Sequence, residues 1–290
     1  MSNPVPPAIN AVTRLCAVYG RPIAHSASPA MQNAAFAALG MNWRYLAFEV
    51  DPKHLRAAIA GAKAMGFAGL NLTVPHKLLA VDMMDALDES AKNWGAVNTI
   101  KFEAGEAVGF NTDASAVVTA LRDDLGVELC GASILLLGAG GAGRTTALKL
   151  ASENVGELFL VNRTQSKAEE IAVEIKKKFP AVNVATVYPT DKVDLILNAT
   201  SLGLKHGDAS PLDESQFSLQ QARAVYDMIY RPAETALLKA AQTAGCQTAN
   251  GLGMLLHQGA RAFEIWTGQP APLGVMRRAL EENVYGSAPK

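Results

Sequence analysis

Residues 132–164 read A-S-I-L-L-L-G-A-G-G-A-G-R-T-T-A-L-K-L-A-S-E-N-V-G-E-L-F-L-V-N-R-T. Ile134 to Leu137 is an unbroken aliphatic run, as in a strand buried on both faces. The chain then turns through Gly138, Gly140 and Gly143, spaced G-x-G-x-x-G, and a helical run follows to about Ser152. In a dinucleotide-binding turn the first glycine permits the bend and the second lets the backbone approach a pyrophosphate. The third lets the helix pack on the strand. That helix aims unpaired N–H groups and its positive dipole end at the anion, so Ala139, Gly141 and Ala142 join the glycines as candidate contacts. A plain strand–turn–helix could carry the same glycines. The strand before, the helix after and a second apolar strand on schedule favour the nucleotide.

The end of that second strand bears on which nucleotide. An NAD site usually has Asp or Glu there, about 20 residues on, to accept from the ribose 2′-hydroxyl. Here stand Asn162, Arg163 and Thr164, with Lys167 one turn further. An acid would repel a 2′-phosphate, whereas a guanidinium binds it through paired, charge-assisted hydrogen bonds. Arg163 could also be a solvated arginine at a strand end; NADP is the better reading.

The chain has 290 residues, room for two domains, and its 49% hydrophobic content fits a substantial core. A net charge of −1 gives no electrostatic reason to expect nucleic acid or an acidic membrane surface. Cys16, Cys130 and Cys246 form neither a disulfide framework nor a zinc pattern, which points to a reducing compartment and no metal. The first residues lack the charged and apolar regions of a signal peptide. No apolar run approaches the roughly 20 residues that span a bilayer. A cytoplasmic enzyme acting on a small molecule, as monomer or homodimer, is expected.

Taken in order, Leu15 to Tyr19 is a strand, followed by H-S-A-S-P. Ser28 before Pro29 reads as a helix start with Ser28 as N-cap. Ser26 and Ser28 could equally offer two hydroxyls to a small carboxylate. Trp43 to Val50 is a second strand, and Asp51-Pro52 opens a helix ending near Gly66. Phe67 to Val74 is a third, breaking at Pro75. Asn71 and Thr73 lie two apart along it and so share a face, with Lys77 just beyond, either solvent-exposed or part of a polar cluster. Gly95 to Ile100 pairs with Ala107 to Asn111 across an E-A-G-E turn. Asp113 begins a helix to about Leu125, which it could simply cap. Alternating strands and helices with a hairpin make this section α/β with a mixed sheet.

Beyond the nucleotide turn come a helix near Lys167 to Phe179 and strands near Val184 to Val187, Val193 to Ala199 and Ala224 to Ile229. Asn198, Thr200, Ser201, Met228 and Tyr230 therefore reach the carboxyl edge, where ligands bind an open parallel sheet. A helix near Glu234 to Ala244 follows. Gly251 and Gly253, a possible hinge, lead to a long helix through Trp266 and a last one from Leu273.

Together H-S-A-S-P, N-L-T-V-P-H-K, G-A-V-N-T, G-F-N-T-D, G-A-G-G-A-G, N-R-T, N-A-T-S-L-G, Y-D-M-I-Y and N-G-L-G-M-L-L-H-Q resemble the shikimate dehydrogenase family over nearly the whole chain beyond residue 14. Asn250 departs from it, standing where an acidic residue is common. The resemblance implies NADPH-dependent reduction of 3-dehydroshikimate to shikimate. It implies two domains: a mixed-sheet α/β substrate domain, residues 1–112 and 249–290, and a Rossmann-like doubly wound NADP domain, residues 113–248, with a cleft between them. Lys77 is then the catalytic residue and Asp113 its partner. Ser26 and Ser28 hold the substrate carboxylate, while Asn71, Thr73, Asn98, Asp113, Tyr230 and Gln258 complete the pocket. Thr200, Ser201, Met228 and Gly251 join the NADP contacts.

These residue types suit the chemistry. Hydride transfer to a ketone builds negative charge on oxygen, and a protonated lysine supplies both charge and proton. A polyhydroxylated acid needs uncharged donors and acceptors, which Asn, Thr, Ser and Gln provide. His25, His76 and His257 adjoin proposed site residues and are read as positioning or surface groups. A quinate dehydrogenase on the same scaffold is the nearest alternative. In the family a threonine replacing the second serine tends to accompany quinate use, so Ser28 leans towards shikimate. A catalytically silent NADP-binding regulator is the other alternative, and retention of Lys77 and Asp113 argues against it.

Overall fold

A computed structural model describes residues 7–205 and 207–286. The chain forms two compact units, one running to Asp113 and resuming at Leu255, the other spanning Ala114–Met254.

In the first unit the chain lays down β1 (Arg14–Gly20), α1 (Ser28–Ala38), β2 (Trp43–Glu49), α2 (Leu55–Ala64), β3 (Gly69–Leu72) and α3 (His76–Leu79). Then follow β4 (Ala86–Leu87), α4 (Glu89–Trp94), β5 (Thr99–Glu103) and β6 (Glu106–Phe110). The sheet order is β2-β1-β3-β5-β6-β4. The β1–β2, β1–β3 and β4–β6 pairs are parallel, while β5 runs antiparallel to both β3 and β6. This is the expected mixed sheet. Leu55, Leu70 and Ile100 are fully buried in its core, each worth about 1.5–3 kcal/mol of burial.

The second unit holds α5 (Asp113–Leu125, its first residue still in the first unit), β7 (Ser133–Leu137), α6 (Gly141–Ser152), β8 (Glu157–Val161), α7 (Gln165–Lys178) and β9 (Asn183–Ala185). Then come β10 (Val193–Asn198), β11 (Ala222–Asp227), α8 (Ala236–Thr243) and β12 (Gln247–Asn250). Six strands lie in the order β12-β11-β10-β7-β8-β9, every pair parallel. That is the doubly wound order, and its reversal falls between β7 and β10, where such sheets take ligands. The aliphatic run read from the sequence is β7: Ile134, Leu135 and Leu136 are wholly buried.

Two last helices, α9 (Leu252–Thr267) and α10 (Leu273–Tyr285), return the chain to the first unit. There the Trp266 indole donates to the Ile100 carbonyl at 2.9 Å. Gly69 makes room for it, since a Cβ at that position would lie 2.1 Å from the indole nitrogen.

Several local readings need correction. Ser28 is not the N-cap of α1: Ala27 holds that position, no side chain caps it, and Ser28 is the first helical residue. The third strand ends at Leu72, so Thr73 lies beyond it and the shared-face argument with Asn71 lapses. Gly95 starts no strand but closes α4 with left-handed φ of 63°, a conformation that costs glycine little. The β5–β6 hairpin pairs from Thr99 with Phe110. Strand β12 went unread because Q-T-A-N carries no apolar alternation. Gly251 and Gly253 answer to crowding: a Cβ would meet the Met228 carbonyl at 2.0 Å and Asp124 Oδ2 at 1.9 Å, respectively. Asn250 donates to the Ala233 carbonyl at 2.8 Å and accepts from the Leu252 N–H at 3.0 Å. An aspartate in its place could not make the first bond.

Among the described residues no helix is long and apolar enough to cross a membrane, and no cluster of His, Cys, Asp and Glu could hold a metal.

Candidate functional site

In the first unit, residues scattered through the sequence meet in an ion pair and an adjoining group of hydrogen-bonded amides and hydroxyls. Lys77 sits on the single turn of α3, whose chain reversal is fixed by the His76 N–H donating to the Thr73 carbonyl at 2.9 Å. Its own carbonyl accepts from the Val97 N–H at 2.9 Å. Its ammonium donates to Asp113 Oδ2 at 2.7 Å. The pair is sheltered but open to water, with side chains 32% and 14% exposed. Asp113 is the first residue of α5, where the positive end of the helix favours a carboxylate.

Just upstream, Thr112 donates its N–H to Asn98 Oδ1 at 2.8 Å, and its hydroxyl accepts from Asn98 Nδ2 at 2.9 Å. Asn71 donates to the Asn98 carbonyl at 3.1 Å and to the Thr99 hydroxyl at 3.0 Å. The Tyr45 hydroxyl donates to Asn71 Oδ1 at 2.7 Å. Tyr45 is wholly buried, which pushes its phenol well above the usual tyrosine range. Asn71, Asn98, Thr99 and Thr112 are buried as well. Their mutual bonds supply what burial of so many polar groups requires.

Tyr45, Asn71, Asn98, Thr99 and Thr112 thus form one buried hydrogen-bonded group, and Asp113, paired with Lys77, follows Thr112 in the chain. Ser26 sits beside Ser28, its hydroxyl accepting from the Ser28 N–H at 3.4 Å. Thr73 follows β3, half-buried, its N–H on the Tyr19 carbonyl at 2.9 Å. Gln258 lies half-buried on α9, its amide donating to the Leu255 carbonyl at 2.7 Å. Tyr230 belongs to the second unit, where burial raises its pKa. Sequence reading missed Tyr45, Thr99 and Thr112. A tyrosine on an apolar strand looks like core, and the repeated Asn-Thr pairs (98–99 and 111–112) were the only hint.

His76 is buried, with Nε2 3.0 Å from the Val50 carbonyl, so it carries the proton on that nitrogen. Burial lowers its pKa.

In the second unit the carboxyl ends of β7, β8, β10 and β11 are tied together. The Gly138 N–H donates to the Val161 carbonyl at 2.8 Å, the Ala199 N–H to Leu137 at 2.8 Å and the Met228 N–H to Asn198 at 3.0 Å. Gly138 takes φ of 108°. A Cβ on Gly143 would lie 2.1 Å from the Gly138 carbonyl. Both glycines are demanded by the turn itself. Gly140 is different: a Cβ there meets nothing within 4 Å. It is the N-cap of α6 and makes no side-chain cap bond to the first N–H groups, which suits an approaching anion. Asn162 braces the turn, accepting from the Ala139 N–H at 3.0 Å and donating to the Thr164 carbonyl at 2.7 Å. Arg163, Thr164 and Lys167 are exposed, two cations with no acid among their immediate neighbours in sequence. This donor set suits a dinucleotide with an extra phosphate.

Three family descriptions match successive stretches of the chain. A family described as shikimate dehydrogenase substrate binding domain matches residues 18–100. Shikimate / quinate 5-dehydrogenase matches residues 121–212, and the shikimate 5′-dehydrogenase C-terminal domain residues 251–281. The shikimate dehydrogenase (NADP(+)) of Moorella thermoacetica is 43% identical over 288 residues, covering 97% of each chain. A crystal structure of a shikimate dehydrogenase in complex with NADP+ superimposes with a TM-score of 0.89 at 40% identity, covering 97% of this chain and 99% of that one. A ligand-free 5-ketofructose reductase from a Gluconobacter strain superimposes with a TM-score of 0.84 at 34% identity, covering 94% and 99%.

Proposed function

The chain belongs to the shikimate dehydrogenase family, and on that premise we propose that it reduces 3-dehydroshikimate to shikimate with NADPH, reversibly. The observation that carries the reading is the Lys77–Asp113 pair, 2.7 Å apart, with Asp113 next in the chain to Thr112 of a buried group of amides and hydroxyls. The domain assignment follows: the first unit takes the substrate and the second the cofactor.

NADPH, when bound, supplies the hydride. Gly138 to Gly143 would hold its pyrophosphate, Asn162, Arg163, Thr164 and Lys167 its 2′-phosphate, and Thr200, Ser201, Met228 and Gly251 the remainder. Ser26 and Ser28 would hold the substrate carboxylate. Ser28 is freed for this because it does not cap its own helix. Asn71, Thr73, Asn98, Gln258 and Tyr230 would meet the ring hydroxyls. As charge develops on the carbonyl oxygen, the Lys77 ammonium stabilises it and delivers a proton from Nζ. Asp113 holds the ammonium in place and can accept from the neighbouring ring hydroxyl. In the reverse direction neutral Lys77 would take the proton back.

Family membership alone leaves the ring open, since a relative of similar fold is named for 5-ketofructose. Oxidation of shikimate and quinate, each with NADP+ and NAD+, tests the reading. Shikimate with NADP+ should give the highest kcat/KM. Faster turnover of quinate or of a ketofructose, or NADPH binding without turnover, would replace it.

A further inference from the structure

Asp227, the last residue of β11, is a wholly buried carboxylate that the mechanism above leaves unused. Its Oδ1 accepts from Asn198 Nδ2 at 2.9 Å and from the Ile229 N–H at 3.0 Å, and its Oδ2 from the Thr235 hydroxyl at 2.7 Å. Burial pushes its pKa up, and these donors pull against that. Because Oδ1 also takes the Ile229 N–H, it can only accept, so it must face the NH2 end of Asn198 and thereby fixes which way that amide lies.

Set in that sense, Asn198 has its hydrogen bonds committed. Its other N–H donates to the Leu202 carbonyl at 3.2 Å. Its oxygen accepts from the Thr200 N–H at 2.9 Å and the Thr200 hydroxyl at 2.8 Å. The Thr200 oxygen then accepts from the Leu202 N–H at 3.1 Å. The turn from Ala199 to Leu202 is wound about this one amide. It also abuts the glycine turn, for a Cβ at Gly138 would lie 3.0 Å from the Ala199 carbonyl and 2.9 Å from the Thr200 methyl group. A reversed amide would set NH2 against the Thr200 N–H and a carbonyl against the carboxylate, so the turn could not keep its present form.

We propose that Asp227 is a positioning residue for the cofactor: its acceptor oxygen orients Asn198, and Asn198 holds Thr200 and Ser201 where the dinucleotide meets them. This rests on the reading above in which Thr200 and Ser201 line the cofactor site.

The test uses the full chain with Asp227→Leu, which removes the acceptor at similar size, and, separately, Asn198→Asp, which turns the facing donor into an acceptor. NADPH affinity is read by fluorescence titration without substrate, and KM is measured for shikimate and for NADP+. Each variant should bind NADPH about tenfold more weakly, with KM for shikimate within about twofold of the parent. A purely structural role would lower the folded fraction and leave the affinity of the folded protein unchanged. Unchanged NADPH affinity, or equal rises in both KM values, overturns the proposal, as does failure of both variants to fold. Failure of the parent itself to bind NADPH would instead remove the cofactor assignment.

Discussion

Lys77→Met isolates the central residue, because it keeps the length and apolar stem of the side chain and deletes the ammonium. Two costs follow, and the geometry separates them. The catalytic cost is the loss of a positioned acid, worth about 10²- to 10⁴-fold in kcat, or about 3–5 kcal/mol of barrier. The folding cost comes from leaving Asp113 without its cation. Breaking a fully buried pair costs about 3–5 kcal/mol, yet these side chains are 32% and 14% exposed and water reaches both. A loss of about 1 kcal/mol is therefore expected. The assay is initial-rate NADPH consumption beside a thermal melt of each protein. Adding Asp113→Asn to Lys77→Met should recover most of the stability and lower kcat little further, since groups acting as a unit are not additive. Near-normal turnover in Lys77→Met would falsify the assignment of Lys77. A kcat loss accompanied by unfolding would show that the pair is chiefly structural.

Four further outcomes are expected. Gly140→Ala should leave the melting temperature unchanged while raising KM for NADPH about tenfold, because a methyl there is open space in the protein and would meet only the ligand. Gly143→Ala, crowding the Gly138 carbonyl at 2.1 Å, should destabilise the protein by several times the ~1 kcal/mol typical of a substitution; equal behaviour of the two variants would contradict the turn's division of labour. Ser28→Ala should raise KM for shikimate about tenfold with stability nearly unchanged, whereas a drop of about 1 kcal/mol with normal KM would restore the helix-cap explanation. The Glu174 carboxylate on α7 takes Arg144 at 2.8 Å and Lys178 at 2.8 Å. Burial opposes its charge, but these partners hold its pKa below the usual range. A lowered folded pKa contributes stability above the unfolded value of about 4.3 and loses it as pH falls through the folded one. Glu174→Gln should therefore melt lower than the parent at pH 7, with the gap closing at pH near 3, and a gap that persists in acid would refute the ionic brace.

What the sequence disclosed and what it hid divide on physical lines. Ile134 to Leu137 could be read because a strand covered on both faces must be apolar throughout, and the glycine spacing because close backbone approach admits no Cβ. Those two signals predict the parallel sheet around β7. Strand β12 carries no such pattern, since its sequence Q-T-A-N has one apolar residue in four. At Ser28 a local rule for helix caps suggested a role that the structure gives to Ala27, and propensity cannot see which residue the chain brings to the turn. Lys77 and Asp113 stand 36 positions apart, so periodicity could not pair them; the family resemblance did. Tyr45 was hidden because its bond from β2 to Asn71 on β3 depends on register across β1, and Thr112 because its bonds to Asn98 span 14 positions.

The most direct trial of the central claim is a crystal structure of the protein with shikimate bound. Lys77 Nζ and an Asp113 oxygen should both lie within hydrogen-bonding distance of the ring at the hydroxyl that is oxidised, with the carboxylate on Ser26 and Ser28. A ring seated elsewhere, or bound with its carboxylate against Lys77, would contradict it.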